Sequence, residues 1–506
     1  MSFRDSTVII IETGRTVIRA GLGLHDLLKT PTVELTARVG LRRNASMNGT
    51  ESNGNGKTSS SQDPLASTSR ASSLPQNGQQ NATVKDYLVG VQLDEALSTD
   101  SDIAISWPFA DGDVRDWTQA EALWKHVLFT QLQRRRVQNE SPVMLTLSPG
   151  LSRDTHERIG QIFFERFNVA GLGILERPVG QLYAANSLSG VVVDIGHDKT
   201  DITPIYDGFI VHSARTSTSV GVRDCQNYLA YLLRSNQSVM AAISPPEAPL
   251  DFETAHSTLL ELVSQVWKAG HVKVPSDGET AVVEDEGVTD IAAVIVAGKE
   301  RALIESGMKK RGMAKASAAE QQRQREIEAL DLITVQFREH SLTLGKERHR
   351  FCEPLFDPSL LRGIPVTDAM PKSLAEMSLP LQEAVGLSVA QTEVDQRQYI
   401  WGGLFVTGDI TRHVKGIGIA LQSRLAPFIV NAELQTDVQA RSIKVLNVPE
   451  YFPEYRDTGN GFAAFLGASI TAKITFNDSM GKNFVSKADY TSKGPRSVIE
   501  MAPALL

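Results

Sequence analysis

The chain is organised around residues 191–208, where an apolar run ends in an acid and turns through glycine, reading VVVDIGHDKTDITPIYDG. β-Branched residues lead to Asp194, Gly196 supplies the turn, and a second run starts near Thr200 and closes at Asp207-Gly208. Two such runs around a glycine turn predict a β-hairpin. An aspartate at the tip, beside the N–H groups of the turn, is one way to hold a phosphate and its metal ion. A structural hairpin without a ligand has the same pattern, and the hairpin alone favours that interpretation.

Length and composition limit the kind of protein this chain can be. Its 506 residues exceed what one core holds, so we expect at least two lobes. A net charge of −8 argues against bulk binding to nucleic acid through phosphate neutralisation. The two cysteines, Cys225 and Cys352, are too few for a disulfide framework or a zinc cluster and fit a reducing compartment. Neither a signal-peptide pattern nor an apolar run of about 18 residues occurs, so we expect no membrane span.

Two segments have the composition of insertions. Residues 42–83 are rich in Ser, Asn, Gly and Gln and have few apolar residues. This composition predicts a disordered loop, because the segment has too little apolar surface to bury. Residues from about 271 to 337 are acidic first and then basic and helix-prone, which is typical of solvated faces.

Local patterns predict several further elements. A strand over 7–12 turns at Gly14 and returns over 16–20, in the same form as the central hairpin. Asp116 has the position of a helix N-cap, and the apolar spacing from Trp117 through Trp124 predicts one buried helical face. The other predicted elements are a strand at 143–147 and helices at 152–167, 177–188, 221–233 and 252–268.

The central hairpin is similar to the second phosphate hairpin of actin, and further similarities follow in the same order along the chain. The matching segments are VIIIETGRTVIRAGL (8–22), SWPFADGDVRDWTQAEALWKHVL (106–128), 142–172, 342–361, WGGLFVTGDI (401–410), FLGASITAKITF (465–476) and VSKADYTSKGP (485–495). The chain therefore resembles the actin-related proteins, and residues 447–476 resemble the nuclear class found in fungal chromatin remodellers.

This resemblance implies an α/β actin-like fold, of the actin, heat-shock-protein and sugar-kinase type, with two lobes around a central cleft and two flexible insertions. The first lobe would comprise 1–184 and 463–506, with the insertion 42–83. The second would comprise 185–462, with the insertion at about 271–337.

The resemblance also implies a nucleotide site in that cleft, in a degenerate form. The residues that would face the nucleotide are Glu12, Gly14, Asp194, Gly196, Gly402 and Gly403. Actins carry an aspartate where this chain has Glu12, and another where it has His197. They carry a glutamine where it has Arg177 and a histidine where it has Asp201. Because arginine cannot act as a base, we expect no catalytic residue, no hydrolysis and no obligatory cofactor, while ATP binding without hydrolysis stays open.

Two smaller features bear on the same site. Arg15 and Thr16 occupy turn positions where actins have small residues, which hinders close approach of a phosphate to the backbone. Arg15 either binds phosphate itself or is a solvated surface arginine, and the second interpretation is favoured. The group of His197, Asp198 and Asp201 suggests a metal site, but strand alternation places the two aspartates on opposite sides, so we expect no metal.

The function implied by the resemblance is that of a non-catalytic structural subunit, a pseudo-ATPase, of a SWI/SNF-type or RSC-type remodelling complex in the nucleus. Such a subunit forms a heterodimer with another actin-related protein, binds a helical segment of the motor ATPase and joins other remodeller subunits, with no sequence-specific DNA binding and no membrane contact. Two alternatives stay open: a nucleotide-binding actin-like ATPase, and an actin-related cap of a cytoplasmic filament complex such as dynactin. The first requires Gln, His and Asp at positions 177, 201 and 12, and this chain has none of them there.

An apolar groove for the motor's helix is expected from three apolar segments, around 166–170, after 341 and over 465–476. Helix anchors at i, i+3, i+4 and i+7 would pack against apolar side chains of that groove. The candidate side chains are Phe167, Leu344, Phe351, Leu466 and Ile470. The alternative is that these side chains belong to the ordinary core.

The composition of the first insertion gives a testable prediction: deleting Asn44–Asn81 leaves folding and complex assembly intact, because so polar a segment contributes few buried contacts. The melting temperature of the purified deletion variant, measured against the full chain, checks this. A matched control replaces the segment with a Gly/Ser linker of equal length, which separates loop length from sequence. A large fall in melting temperature in both variants would contradict the prediction.

Overall fold

The computed structural model describes residues 8–23, 28–43, 82–99, 102–136, 140–245, 247–275, 331–364, 378–429, 440, 442–477 and 483–501. Its strands are β1 Val8–Thr13, β2 Val17–Gly23, β3 Val33–Thr36, β4 Val39–Arg42, β5 Leu88–Val89, β6 Ile103–Ser106, β7 Val143–Leu147, β8 Gly171–Glu176, β9 Gly190–Ile195, β10 Thr200–Tyr206, β11 Phe209–Ile210, β12 Thr216–Thr218, β13 Ile333–Phe337, β14 His340–Leu344, β15 Leu404–Thr407, β16 Val445–Leu446 and β17 Val485–Ser486. Its α-helices are Val91–Thr99, Trp117–Lys125, Arg153–Gln161, Arg177–Ala184, Val222–Leu233, Gln237–Ile243, Phe252–Lys268, Glu353–Phe356, Leu381–Ala390, Val394–Trp401, Ile417–Leu425, Ala463–Asn477, Lys487–Lys493 and Ser497–Glu500. Within these described ranges no helix is long and apolar enough to cross a membrane.

Two units, each with its own sheet and core, divide the described residues. The first takes its described residues from Met1–Leu27, Pro31–Glu176 and Thr471–Leu506, and the second from Leu28–Thr30 and Arg177–Ile470. These units change over at 176/177 and 470/471, whereas the lobes expected from the sequence change over at 184/185 and 462/463. The lobe division itself stays a prediction.

The sheet of the first unit has the order β17-β8-β7-β1-β2-β3. β1 pairs antiparallel with β2 and parallel with β7, so the β1–β2 hairpin joins the sheet at its centre. β1 is buried along its whole length because it lies between two strands, and its sequence is therefore continuously apolar up to Glu12. A separate three-stranded sheet has the order β5-β4-β6.

The sheet of the second unit repeats this arrangement, with the order β11-β10-β9-β15-β16 and β12 paired to β10. β9 pairs antiparallel with β10 and parallel with β15. β9, like β1, is buried throughout, and it carries the apolar run that ends at Asp194. The hairpin predicted over 191–208 is therefore confirmed, and it lies at the centre of its sheet.

Aromatic side chains fill the core of the first unit. Trp124 is completely buried, and its ring lies 5.3 Å from that of Phe109 and 5.5 Å from that of Phe163. Its indole Nε1 donates a hydrogen bond to Oγ1 of Thr13 at 3.0 Å, which ties this core to the end of β1. The predicted core role of Trp124 is confirmed, and Asp116 caps its helix by accepting from the N–H groups of the first turn.

Several predicted elements agree with the structure and others differ at their ends. The strand at 143–147 and the helix at 252–268 have the predicted bounds. The helix predicted over 177–188 ends at Ala184, and Asn186 takes a positive φ of 55°, which terminates it. The helix predicted over 152–167 is α-helical over Arg153–Gln161 and then continues as a π-helix over Ile162–Arg166.

The second predicted insertion is shorter than the sequence suggested. Residues 333–337, expected to belong to it, form β13, which pairs with β14. Val335 and Phe337 alternate into the core of the second unit, and Val272 at the other end is also buried. This alternation of buried and exposed side chains is that of a β-strand. The charged sequence that precedes it hid the pattern. Residues 44–81 and 276–330 lie outside the described residues.

The predicted helix-binding side chains are mostly core. Phe167 is 1% exposed and belongs to the core of the first unit, while Leu344 and Phe351 are fully buried in the core of the second. Leu466 is also fully buried. An apolar sequence segment does not show whether its side chains line a groove or fill a core. These four side chains are buried and expose no surface that a partner could contact. Ile470 is half-buried.

A buried arginine, Arg348, connects His271, which precedes residues 276–330, with Asp331, which follows them. Arg348 is 3% exposed, and its Nε donates to the carbonyl oxygen of His271 at 2.9 Å. Its guanidinium also donates to the carbonyl oxygens of Asp331 and Gly345 and lies 2.8 Å from Oδ1 of Asp331. His349 completes the contact, since it bonds Asp331 Oδ2 at 2.6 Å and accepts from the N–H of Lys273 at 3.0 Å. Burial lowers the pKa of His349, which agrees with a neutral ring that accepts at Nδ1.

We predict that Arg348→Ala destabilises the second unit by about 3–5 kcal/mol, because the substitution removes the donor to three part-buried carbonyl oxygens and one of the two partners of the Asp331 carboxylate. Urea unfolding followed by intrinsic fluorescence measures the loss. Arg338→Ala is the matched control, since Arg338 pairs with Glu261 at 2.8 Å while both side chains are more than half exposed. That change is expected to cost less than about 1 kcal/mol. Equal effects of the two substitutions would contradict the prediction.

Candidate functional site

The first hairpin holds its acid with an arginine from the neighbouring strand. Glu12, the fifth residue of β1, is 1% exposed and lies opposite Arg19 in the register of β1 and β2. Arg19 Nη1 lies 3.3 Å from Glu12 Oε1, and Arg19 Nε donates to Glu34 Oε1 on β3 at 3.0 Å. The antiparallel register across three strands brings these side chains together. The buried carboxylate of Glu12 is thus balanced within its own unit by Arg19, a residue that the sequence analysis did not single out.

The turn of this hairpin depends on Gly14. Its N–H donates to the carbonyl oxygen of Val17 at 3.0 Å, and a Cβ at Gly14 would lie 2.7 Å from that same oxygen. Arg15 next to it is half-buried, and its guanidinium packs against Gly112, where an added Cβ would meet Arg15 Nε at 3.2 Å. The structure thus places Arg15 against a loop of its own unit, in contrast to the solvated position favoured from the sequence.

The second hairpin holds its acid with an arginine from a helix. Asp194, the fifth residue of β9, is 8% exposed. Arg177 Nη1 lies 3.0 Å from Asp194 Oδ2, and Gln181 Nε2 donates to the same oxygen at 2.9 Å. Arg177 and Gln181 are four residues apart on helix Arg177–Ala184 and therefore share one face of it. Arg177, which stands where actins have glutamine, is thus engaged with the carboxylate of Asp194.

Helix Arg177–Ala184 is fixed by close packing against helix Ala463–Asn477. A Cβ built on Gly467 would lie 1.7 Å from the carbonyl oxygen of Gly180, so the two backbones meet at a distance that only glycine permits. Gly180 lies between Arg177 and Gln181 in the helix. This contact therefore sets the position from which both side chains reach Asp194.

The turn of the second hairpin is anchored by the N-terminus of helix Val222–Leu233. The N–H groups of Val222 and Arg223 donate to the carbonyl oxygens of Gly196 and His197 at 3.0 and 2.9 Å. Asp224 closes this helix end by accepting from the N–H of Gly221 at 2.9 Å. Burial raises the pKa of the Asp224 carboxyl, and the Gly221 hydrogen bond opposes that rise. Helix N–H groups that would otherwise lack partners thus hold the turn in place.

Polar residues near this turn pair separately and do not converge on one point. His197 Nδ1 lies 3.0 Å from Asp198 Oδ1, and Arg223 lies 3.2 Å from the same oxygen. Asp201 lies 3.7 Å from Lys199. Among the described residues, no group of three or more His, Cys, Asp or Glu side chains is arranged to hold a metal ion.

Gly402 and Gly403 directly precede β15, at the opposite end of that strand from Thr407. β15 runs parallel to β9, with Leu404 opposite Val191 and Thr407 opposite Asp194. The Gly402-Gly403 pair therefore lies beside the start of β9, where Gly403 O accepts from the N–H of Val191 at 2.8 Å. That position is roughly 13 Å from Asp194 at ~3.3 Å per residue. Their role as nucleotide-facing residues stays a prediction.

Thr407 and Gly408 lie at the carboxyl end of β15, where Thr407 is opposite Asp194. Gly408 has a φ of 108°, and an added Cβ would lie 2.2 Å from the carbonyl oxygen of Ile195. Thr407 Oγ1 donates to Asn460 O at 2.7 Å, so residues near 460 also contact this strand end. The signal was available in the sequence, because the carboxyl ends of parallel strands meet at one edge of a sheet, and LFVTG repeats the apolar-then-glycine form of VVVDIG.

A magnesium ion with a nucleotide, implied by the family resemblance, does not fit the acids of these hairpins. Each acid already has a guanidinium within 3.3 Å, Arg19 on Glu12 and Arg177 on Asp194. Two unit charges 4 Å apart repel by about 4 kcal/mol at the effective permittivity of a protein surface, and a divalent ion doubles that. A cation on either carboxylate would meet this repulsion. Glu12 and Asp194 thus keep their places in the hairpins, and each is already paired with an arginine of its own unit.

Comparison with known proteins agrees with this architecture. The family model described as Actin matches residues 3–502. A protein named SWI/SNF and RSC complexes subunit arp9, from Schizosaccharomyces pombe, is 26% identical to the chain over 544 aligned residues, covering 98% of this chain and 99% of the relative. The predicted α/β actin-like fold is confirmed, as is the resemblance to the remodeller-associated class. The chain belongs to the actin family.

Proposed function

We propose that this chain is a non-catalytic actin-related subunit of a SWI/SNF-type chromatin-remodelling complex in the nucleus. Similarity to a relative named as a subunit of SWI/SNF and RSC complexes runs over nearly the whole of both chains, which supports the proposal. The observation that carries its non-catalytic part is the ion pair of Arg177 with Asp194, at 3.0 Å.

The ion pair argues against hydrolysis for two reasons. An arginine stays protonated, so Arg177 cannot accept a proton from an attacking water. Its guanidinium also occupies the carboxylate that would otherwise help to hold a metal ion. Asp201, the residue at the position of a histidine in actins, lies 3.7 Å from Lys199 and pairs with that cation. The side chains available at the second hairpin are thus charged groups already matched to one another.

A subunit of this kind acts through its surfaces. We propose that it pairs with a second actin-related protein, binds a helical segment of the motor ATPase and contacts other remodeller subunits, while the motor performs the work on DNA. The net charge of −8 suits a basic helix, because opposite charges speed encounter and orient it. The helix would contact side chains other than Phe167, Leu344, Phe351 and Leu466, which are buried.

Affinity purification of the tagged full-length chain from cells that express it tests this proposal. We expect a remodeller motor ATPase and a second actin-related protein among the stoichiometric partners, identified by mass spectrometry. A tag-only purification from the same cells is the control. Recovery of dynactin components in their place would favour the filament-cap alternative and contradict the proposal.

We predict that the purified chain hydrolyses ATP no faster than its Asp194→Ala variant. Both proteins should give the same residual rate, because Arg177 cannot act as a base and already pairs with the Asp194 carboxylate. Phosphate release from protein purified over a final size-exclusion step measures this, with the folded state of each variant checked by circular dichroism. Turnover that is present in the natural chain and lost in Asp194→Ala would favour the actin-like ATPase alternative.

A further inference from the structure

The two hairpins share one electrostatic problem, which is a buried acid at the fifth position of a central strand. Glu12 is 1% exposed and Asp194 is 8% exposed. A buried carboxylate without a counter-charge is costly, so each needs a cation from the protein or from solution. We propose that Arg19 and Arg177 are built-in counter-ions for these acids, so that neither hairpin depends on a divalent cation for its folded state.

In the first unit the counter-ion comes from the strand directly opposite. Arg19 faces Glu12 in the register of β1 and β2 and is itself only 3% exposed. Its guanidinium reaches Glu12 Oε1 at 3.3 Å and Glu34 Oε1 at 3.0 Å. The buried Glu12–Arg19 pair is neutral without an added ion, and the Glu34 carboxylate, 41% exposed, is solvated by water while it accepts from the buried guanidinium.

In the second unit the strand directly opposite cannot supply the charge. The residue facing Asp194 in the register of β9 and β10 is Asp201, which carries the same sign. Helix Arg177–Ala184 supplies the charge from another direction, with Arg177 at 3.0 Å and Gln181 at 2.9 Å from Asp194 Oδ2. The Gly180–Gly467 contact fixes that helix, so the guanidinium is positioned by the fold of the second unit alone.

This inference goes beyond the proposed function, since it concerns the folded state of the chain and holds whichever complex the chain joins. The roles of the two arginines are equivalent, but Arg177 offers the sharper test. Arg177→Gln removes the positive charge while keeping a hydrogen-bond donor of shorter reach. The buried carboxylate of Asp194 then lacks a counter-ion, and a divalent cation in solution becomes the available replacement.

The experiment measures thermal unfolding of the full-length chain in excess EDTA and in millimolar MgCl₂ or CaCl₂. We expect the natural chain to unfold at the same temperature in all three conditions. Arg177→Gln should unfold roughly 5–15 °C lower in EDTA and recover part of that loss when a divalent cation is added. The double variant Arg177→Gln/Asp194→Asn removes the uncompensated charge, and it should regain stability and lose the cation dependence.

Arg223→Gln is the matched control, because Arg223 pairs with Asp198 on the same hairpin turn while both side chains are more than 40% exposed. It should change neither the midpoint nor the cation response. The proposal is overturned if the natural chain is destabilised by EDTA, or if Arg177→Gln unfolds like the natural chain in every condition. If Arg177→Gln does not fold at all, the natural chain and the double variant still decide the matter. Co-purification with a remodeller is unaffected by any of these results, so the two proposals fail separately.

Discussion

The need to neutralise a buried acid at the end of a central strand shapes both units of this protein. β1 and β9 each lie between an antiparallel hairpin partner and a parallel strand, which buries every residue along them. An acid in the fifth position of such a strand is therefore buried with it. The surrounding structure then has to deliver a positive charge to that point, because an unpaired carboxylate there costs several kcal/mol, on the order of 3–5.

The two units meet this need in different ways because the residue opposite the acid differs, although both hairpins pair the acid with the residue seven positions later. In the first unit the residue opposite Glu12 is Arg19, so the hairpin itself supplies the positive charge that pairs with the acid. In the second unit the opposite position is Asp201, and the charge has to come from a helix. Helix Arg177–Ala184 brings Arg177 and Gln181 to Asp194, and it packs against helix Ala463–Asn477 at the close approach of Gly180 and Gly467.

Sequence reasoning was accurate wherever one local pattern decides the structure. The strand Val143–Leu147 and the helix Phe252–Lys268 follow directly from apolar spacing. It could not say at which end of β15 Gly402 and Gly403 lie, because a glycine pair signals a turn but carries no information about which end of a parallel strand it joins. It also missed Arg19 and Gln181. Their roles depend on strand register and on which helix face packs inward, and both are set by tertiary structure.

Internal charge balance also has a consequence for how an actin fold is used. Where a carboxylate is matched by solution ions, occupancy of the site changes the energy of the fold, and the fold can report that occupancy. Where the matching cation is an arginine of the same unit, the carboxylate is paired without an ion from solution. Asp194, with Arg177 and Gln181 on one of its oxygens, belongs to the second kind. A fold whose buried acids are paired internally is suited to presenting surfaces to partners, which is the role proposed for this chain.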